Sequence, residues 1–447
     1  MKIVWRWIAY SLLAAHFAVV LTIWLTTSLE LFRAGAGSTL LSLAQLAGLL
    51  AAACALLQFM LMGRSPWIER AFGLERIAKL HRLNGYATIS LILTHTTLVT
   101  LGYAALTGSG LIPQFTTFLT KFNDVIYAFI AELLFLTIVG SSIYIVRRRL
   151  PYERWYWVHL MVYLAIVLAF FHQTKVGGSF LSQPAYIVYW YALYGFVALN
   201  VFTGRLFLPA YNYWRFRFAI DEIVPETADT VSIYIHGRGL ERFRARPGQF
   251  VIIWLPQAKL WLEEHPFSLS GLPHDGRLRL TVKAVGDYTS RLPKLLKSGA
   301  PVVIAGPYGQ FTPAPTARPR RLYLAGGVGI TPLRTLLEAQ TPEQESVLIY
   351  GNKTPADTIF ADELAQLATR IKLRIHHVYS EAPTYAGETG RIDTARIERL
   401  VPDFRDREVY LCGPPPMMAG LAKGLIAAGL APARLHYERF ALHPVSS

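Results

Sequence analysis

Four histidines in two apolar stretches are the residues best placed to do chemistry. In LHRLNGYATISLILTHTTLVTL, Leu80 to Leu101, His81 stands near one end and His95 near the other. Fourteen positions at 3.6 residues per turn fall about 40° short of whole turns, so both imidazoles share a face. They stand about 20 Å apart along the axis, most of the way across a hydrocarbon core of about 30 Å. WYWVHLMVYLAIVLAFFHQTK repeats the device with His159 and His172. Thirteen positions leave those two rings about 140° apart on an ideal helix, which requires a bend or an irregular end near His172. An ionisable side chain inside a span is costly and marks function by default. Two helices, each with an inner and an outer histidine, can hold two stacked haems by paired axial ligation. His16, alone in the first apolar segment, reads instead as a packing residue.

Positioning those histidines takes a membrane bundle. Hydrophobic residues make up 53% of the 447, with a mean hydropathy of +0.33, and the apolar excess is confined to the first half. Six spans fit, at about 3–25, 39–62, 81–105, 122–146, 155–174 and 184–208. One side of them carries Lys2, Arg6, Arg64, Arg70, Arg76, Lys79, Arg82, Arg147 to Arg149, Arg154, Arg205, Arg215 and Arg217. The other offers Arg33, in the first outer loop, with Lys121 and Lys175. Positive charge marks the cytoplasmic side, so both termini face inward. The third and fifth spans then run parallel, which pairs His81 with His159 and His95 with His172. The first segment has no small-residue cleavage site and is expected to stay as a helix. The net charge of +15 sits at helix ends rather than on one basic face, which argues against nucleic acid. The two cysteines, Cys54 and Cys412, exclude a disulfide framework and a Cys-based zinc or iron–sulfur site. Glu132, within the fourth span, reads as structural or proton-handling.

From about Tyr213 short alternating strands appear: RFRFAIDEIV, TVSIYIHG, PGQFVIIWLP, RLRLTVKAVG and PVVIAGPYG. Broken by Gly and Pro, they predict a small antiparallel β-barrel. After FTPAPTARPR, strands such as RLYLAGG, VLIYGN, LRIHHVYS and REVYLCG alternate with helices, which predicts a parallel α/β sheet of the dinucleotide-binding kind. The expected domains are therefore 1–212, a six-helix membrane bundle, 213–317, the barrel, and 318–447, the α/β domain.

Within the barrel, His265-Pro266-Phe267-Ser268-Leu269-Ser270 closes the third strand and opens the next. It lines up an aromatic plane, hydroxyls and a donor, suited to a flavin and its phosphates. Lys283 and Gly286-Asp287-Tyr288-Thr289-Ser290 lead into a helix, and a glycine turn with hydroxyls at a helix start suits a pyrophosphate. In the last domain Gly326-Gly327-Val328-Gly329-Ile330-Thr331-Pro332 lies between a strand and a helix, a dinucleotide phosphate site without the full G-x-G-x-x-G fingerprint. Cys412-Gly413-Pro414 ends the last strand, at the carboxyl edge where such sheets bind ligands. Taken singly, Cys412 reads as a buried core thiol. Lys353, with Ser380, could meet a 2′-phosphate, while Glu381 would repel it.

Six spans with two histidine pairs, then HPFSLS, GDYTS, GPYG, AGGVGITP and LCGPP in this order, resemble the ferric reductase and NADPH oxidase superfamily. The resemblance covers nearly the whole chain. It implies that His81, His95, His159 and His172 ligate two b-type haems. It implies that HPFSLS and Thr289–Ser290 hold FAD, that Gly326–Thr331 hold the nicotinamide dinucleotide, and that Cys412 lies beside the nicotinamide. Phe440, in YERF, resembles the aromatic that stacks on the flavin. NADPH (or NADH) gives two electrons as hydride while each haem accepts one, so a flavin must stand between them. The expected enzyme is an integral protein of the plasma or inner membrane with its reductase domains cytoplasmic. Its acceptor would be dioxygen or a ferric chelate on the outer side, or, alternatively, a periplasmic redox partner protein. The oxidase branch commonly carries a further histidine where this chain has Val99, which weakens a dedicated dioxygen site.

Overall fold

Long apolar runs close their own hydrogen bonds as helices, the only open-chain solution in lipid. The structure, a computed structural model, describes residues 2–122, 124–143, 149–150, 152–256, 264–313 and 318–438. Contacts divide the chain into two compact units, Met1–Arg205 and Leu206–Ser447.

The first unit is helical: α1 (Lys2–Arg33), α2 (Ala36–Met62), α3 (Pro66–Phe72), α4 (Leu74–Thr107), α5 (Leu111–Lys121), α6 (Val125–Ser142), α7 (Tyr152–Leu160), α8 (Val162–Val176) and α9 (Pro184–Phe202). Six runs are long and apolar enough to cross a membrane: Val4–Arg33, Ala36–Met62, Leu74–Thr107, Val125–Ser142, Arg154–Lys175 and Pro184–Phe216. Their outward side chains, such as Leu93, Leu164, Val167, Val188 and Leu199, are apolar and exposed. Val20, Ile23, Leu49, Leu56, Trp190 and Val197 form the buried core among α1, α2 and α9.

Four sequence expectations for the spans need correction. Arg33 closes α1 rather than lying in a loop, and α4 starts seven residues before His81, which therefore sits two turns inside its helix. Helix α5 occupies a stretch read as a connection. The fifth span is broken at Met161, beside His159, and not near His172. There Met161 N–H donates to Val158 O at 3.2 Å, a three-residue turn. Such a turn rotates about 120° per residue instead of 100°, which reduces the angular mismatch between His159 and His172.

α2 and α4 approach closely because both present small residues. A methyl group on Gly102 would lie 2.7 Å from Leu41, and one on Gly37 2.9 Å from Leu106.

The second unit begins with α10 (Leu208–Phe216) and β1 (Ala219–Thr227), β2 (Thr230–His236), β3 (Phe250–Trp254), β4 (His265–His274), β5 (Arg277–Lys283) and β6 (Val303–Tyr308), with α11 (Asp287–Leu295) between the last two strands. These strands form one antiparallel sheet in the order β1-β2-β5-β4-β3-β6. Near its two edges the segment before β6 meets the start of β1 through an isolated bridge, Ala219–Pro301, and the bonds Ile220 N–H to Ala300 O and Val302 N–H to Phe218 O, without a regular ladder among the described residues. HPFSLS belongs wholly to β4 instead of joining two strands. Ile220, Ile233, Leu269, Leu280 and Ile304 fill the core of this sheet.

A six-stranded parallel sheet follows in the order β10-β9-β8-β7-β11-β12. Its strands are β7 (Arg320–Gly326), β8 (Glu345–Asn352), β9 (Leu373–Tyr379), β10 (Glu388–Thr389), β11 (Glu408–Cys412) and β12 (Leu435–Tyr437). Helices α12 (Ile330–Glu338), α13 (Ala361–Arg370), α14 (Thr394–Leu400) and α15 (Pro415–Ala427) cover it. The two sheets are locked together. Gly248 N–H donates to Thr335 Oγ1 at 2.8 Å. Glu363 accepts from Arg279 at 2.9 Å and from Arg334, while Arg279 stacks over Phe360 at 4.4 Å. Burial acts to raise the Glu363 carboxyl, but the two guanidiniums outweigh it and hold the group below the usual range.

Candidate functional site

The helices bring the four histidines together in two pairs. His81 and His159 have ring centroids 6.1 Å apart, and His95 and His172 6.5 Å, each at an interplanar angle of 66°. Two imidazoles bound to one metal ion from opposite sides, each at about 2.0 Å, put their centroids about 6.3 Å apart. Both separations lie close to that value. Among the described residues no group of three or more His, Cys, Asp or Glu could hold a metal. An ion at either pair would need its other ligands from a planar group such as a porphyrin.

His95 shows how the bundle prepares a ligand. Its Nδ1 lies 2.7 Å from Ala44 O, and a carbonyl only accepts, so Nδ1 carries the proton and Nε2 presents a bare lone pair. Gly48 makes this approach possible, since a methyl group there would lie 2.8 Å from the same Nδ1. Farther along the same pair of helices, Asn84 donates to Cys54 O at 2.8 Å. Among the described residues, the buried Nδ1 atoms of His81 and His172 make no normal hydrogen bond, although the Gln58 backbone interacts with His81. His159 stacks on Trp155 at 5.1 Å, with Ser142 Oγ 3.5 Å from its Nδ1. Next to His95, Thr96 donates to Glu132 at 3.0 Å. His16 hydrogen-bonds to Tyr189. Ala44 and Gly48 escaped the sequence reading; the small-residue run AQLAGLLAAACA was the available signal.

In the antiparallel sheet, His265 stacks on Tyr288 with centroids 3.5 Å apart, joining the start of β4 to α11. Phe267 packs against the sheet core. Among the described residues the buried Ser268 hydroxyl has no partner, an unmet polar group that a flavin could satisfy. Ser270 is instead taken up in a buried chain of hydroxyls, through Thr281 at 2.7 Å to Ser232. Lys283 pairs with Asp229 at 3.2 Å. Thr289 Oγ1 accepts from the Val285 and Gly286 amides at 3.1 and 3.0 Å, which shapes the start of α11; Ser290 lies in its first turn.

In the parallel sheet, order reverses between β7 and β11, the switch point where such sheets take ligands. Cys412 is registered beside Ala325, so the glycine turn after β7 meets Gly413-Pro414 after β11. Gly326 and Gly329 are closely packed: added methyl groups would lie 2.6 Å from Met417 Sδ and 2.3 Å from Cys412 O. Gly327, at φ +51°, faces open space, which leaves room for a phosphate. Thr331 Oγ1 donates to Val328 O at 2.9 Å. Cys412 is fully buried, its thiol 3.6 Å from Glu438 O. Burial, and then the Glu438 carboxylate, push that thiol well above its usual range, so it stays protonated. Lys353 is tied to Glu381 at 3.2 Å. Phe440 lies outside the described residues.

Three family descriptions match this chain: "Ferric reductase like transmembrane component" over residues 47–170, "FAD-binding domain" over 217–312 and "Oxidoreductase NAD-binding domain" over 323–423. The chain is 31% identical over 231 residues to a toluate 1,2-dioxygenase electron transfer component of Pseudomonas putida, covering 51% of this chain and 68% of that one. It is 32% identical over 243 residues to an NADPH oxidoreductase of Mycobacterium tuberculosis, covering 52% and 62%. The chain spans less than two thirds of that second relative. A solved cytochrome P450 reductase of Amycolatopsis aligns with a TM-score of 0.45 at 27% identity, over 50% of this chain and 68% of the other.

Proposed function

We propose that this chain, which belongs to the ferric reductase/NADPH oxidase superfamily, carries electrons from cytoplasmic NAD(P)H across a membrane to an acceptor on the outer side. The observation that carries this reading is the spacing of the two histidine pairs, 6.1 and 6.5 Å, on one run of spans in a chain with flavin- and NAD-binding domains. We assign the histidine pairs, in domain 1–212, to two b-type haems, and the antiparallel sheet, taken as a barrel at 213–317, to FAD. Domain 318–447 is assigned to NADPH or NADH. When bound, the flavin converts a hydride pair into single electrons and the haems accept those one at a time.

The chain's own groups prepare for this. Ala44 O holds the proton on His95 Nδ1 and so keeps Nε2 free to ligate. The hydroxyl of Ser268 and the amides opening α11 offer donors to the flavin and its pyrophosphate. Gly327 leaves its backbone open to a second pyrophosphate, and the neutral Cys412 thiol borders the switch point without adding charge. Basic residues at one set of span ends support cytoplasmic termini and reductase domains. The acceptor is dioxygen or a ferric chelate, and Val99 weighs toward the chelate.

The deciding experiment is anaerobic reduction of the purified protein by NADPH and by NADH, followed at the haem bands, with oxygen or a ferric chelate then added. Fast reoxidation by the chelate and slow reoxidation by oxygen make it a metal reductase; fast reoxidation by oxygen with superoxide makes it an oxidase. Absence of a Soret band refutes the proposal.

A further inference from the structure

The last apolar run is longer than a bilayer requires. Pro184–Phe216 has 33 residues, about 50 Å at 1.5 Å per residue, against about 30 Å of hydrocarbon. Its final turns, α10, therefore extend into the headgroup layer. Leu206, Phe207, Tyr211 and Trp214 are exposed there, an apolar and aromatic face of the kind that seats at a membrane interface.

Beside α10 lies an open cleft of about 420 Å³. Three guanidiniums line it from two distant segments: Arg215 from α10, and Arg242 and Arg244 from the loop before β3. Phe216 and Phe243 give it an apolar floor, with the Arg215 guanidinium 5.4 Å over the Phe216 ring. Asn212, in its wall, is engaged with Ile304 O at 3.2 Å. The carboxylate that approaches is Glu241, 4.0 Å from Arg242, both about three-quarters exposed. It also approaches Gly239, as Arg215 does. Neither Arg215 nor Arg244 forms an ion pair among the described residues, so the cleft keeps an excess of positive charge.

We propose that this cleft binds the phosphate headgroup of an anionic phospholipid of the cytoplasmic leaflet. The planar guanidinium fork matches phosphate oxygens two at a time, and anionic lipid is concentrated on that side of the membrane. The acyl chains lie along the aromatic face of α10. A free phosphate shares the headgroup chemistry but has nothing to place on that face. This inference rests on the membrane-spanning reading and is independent of which acceptor the enzyme uses.

The test uses the full chain in nanodiscs of phosphatidylcholine, with or without phosphatidylglycerol, extracted and weighed by native mass spectrometry. Wild type is expected to retain phosphatidylglycerol in preference to phosphatidylcholine, and R215Q/R244Q to bind it about 30-fold more weakly. Haem and flavin content of the double variant serves as the folding control. If it fails to fold, R244Q alone, altering an exposed side chain, takes its place. Equal retention of the two lipids, or undiminished retention by the variant, overturns the proposal. Displacement of the lipid by millimolar inorganic phosphate also overturns it, by making free phosphate the ligand.

Discussion

Replacing Gly48 with alanine adds one methyl group, 2.8 Å from Nδ1 and 2.9 Å from Cε1 of His95. Contacts of that length cannot persist, so the imidazole must move and its 2.7 Å bond to Ala44 O must lengthen or break. Helix propensity pulls the other way, since alanine is better than glycine in a helix by about 1 kcal/mol. A loss of function is therefore attributable to the ring. Leaving a buried donor unpaired costs about 1–3 kcal/mol, and loosening a partner of a metal-ligating histidine weakens metal affinity about 10–100-fold. The expected result is selective loss of the haem at the His95–His172 level, taking the stoichiometry from two per chain to one, with reduction of the flavin by NAD(P)H unchanged. Haem is counted by pyridine haemochrome against flavin fluorescence. Gly140→Ala and Gly195→Ala are the controls, because added methyl groups there meet nothing within 4 Å among the described residues. Two haems with unchanged midpoint potentials in G48A, or equal losses in the controls, would refute the reasoning.

His95→Ala or His172→Ala should remove the same haem outright while flavin reduction continues; retention of both haems by either variant would sink the ligand assignment. Glu381→Gln frees Lys353 from its 3.2 Å ion pair and should raise the NADPH-to-NADH ratio of kcat/KM several-fold, an unchanged ratio placing the ribose edge elsewhere. Glu363→Gln leaves two guanidiniums with a neutral acceptor, and a hydrogen bond to a charged group contributes about 1.5–3 kcal/mol, so part of that is expected to be lost, read as a lower Tm of the reductase unit. Because the folded Glu363 carboxyl lies below its ordinary value, its stabilisation is present above about pH 4.3 and is lost as pH falls through the folded value. Tm followed against pH should thus show an acid-side drop in wild type that is smaller in the variant.

Six spans were legible in the sequence because hydropathy is summed locally, along the chain. The alternation of strands and helices after Arg320 was legible for the same reason. Boundaries depended on neighbours: α4 begins before its apolar stretch, and α5 is an amphipathic helix whose pattern was hidden in a presumed connection. The bend predicted for the fifth span was required by the 13-residue spacing alone, but its place was not, and it falls at Met161. A spacing states the rotation needed between two side chains and leaves open where the backbone supplies it.

What the sequence by itself determined was which chemistry-bearing residues lie on which element: four histidines on two helical stretches, hydroxyls and glycines at strand and helix ends, one cysteine at the end of a strand. Only the tertiary structure decided what those residues meet. It set the histidine rings 6.1 and 6.5 Å apart, gave Ala44 O to His95, placed Cys412 beside Ala325, took Ser270 into a hydroxyl chain and tied Lys353 to Glu381. Each of these is a contact between residues on different elements, chosen by packing and register, and neither quantity is written in the local pattern from which helices and strands are read.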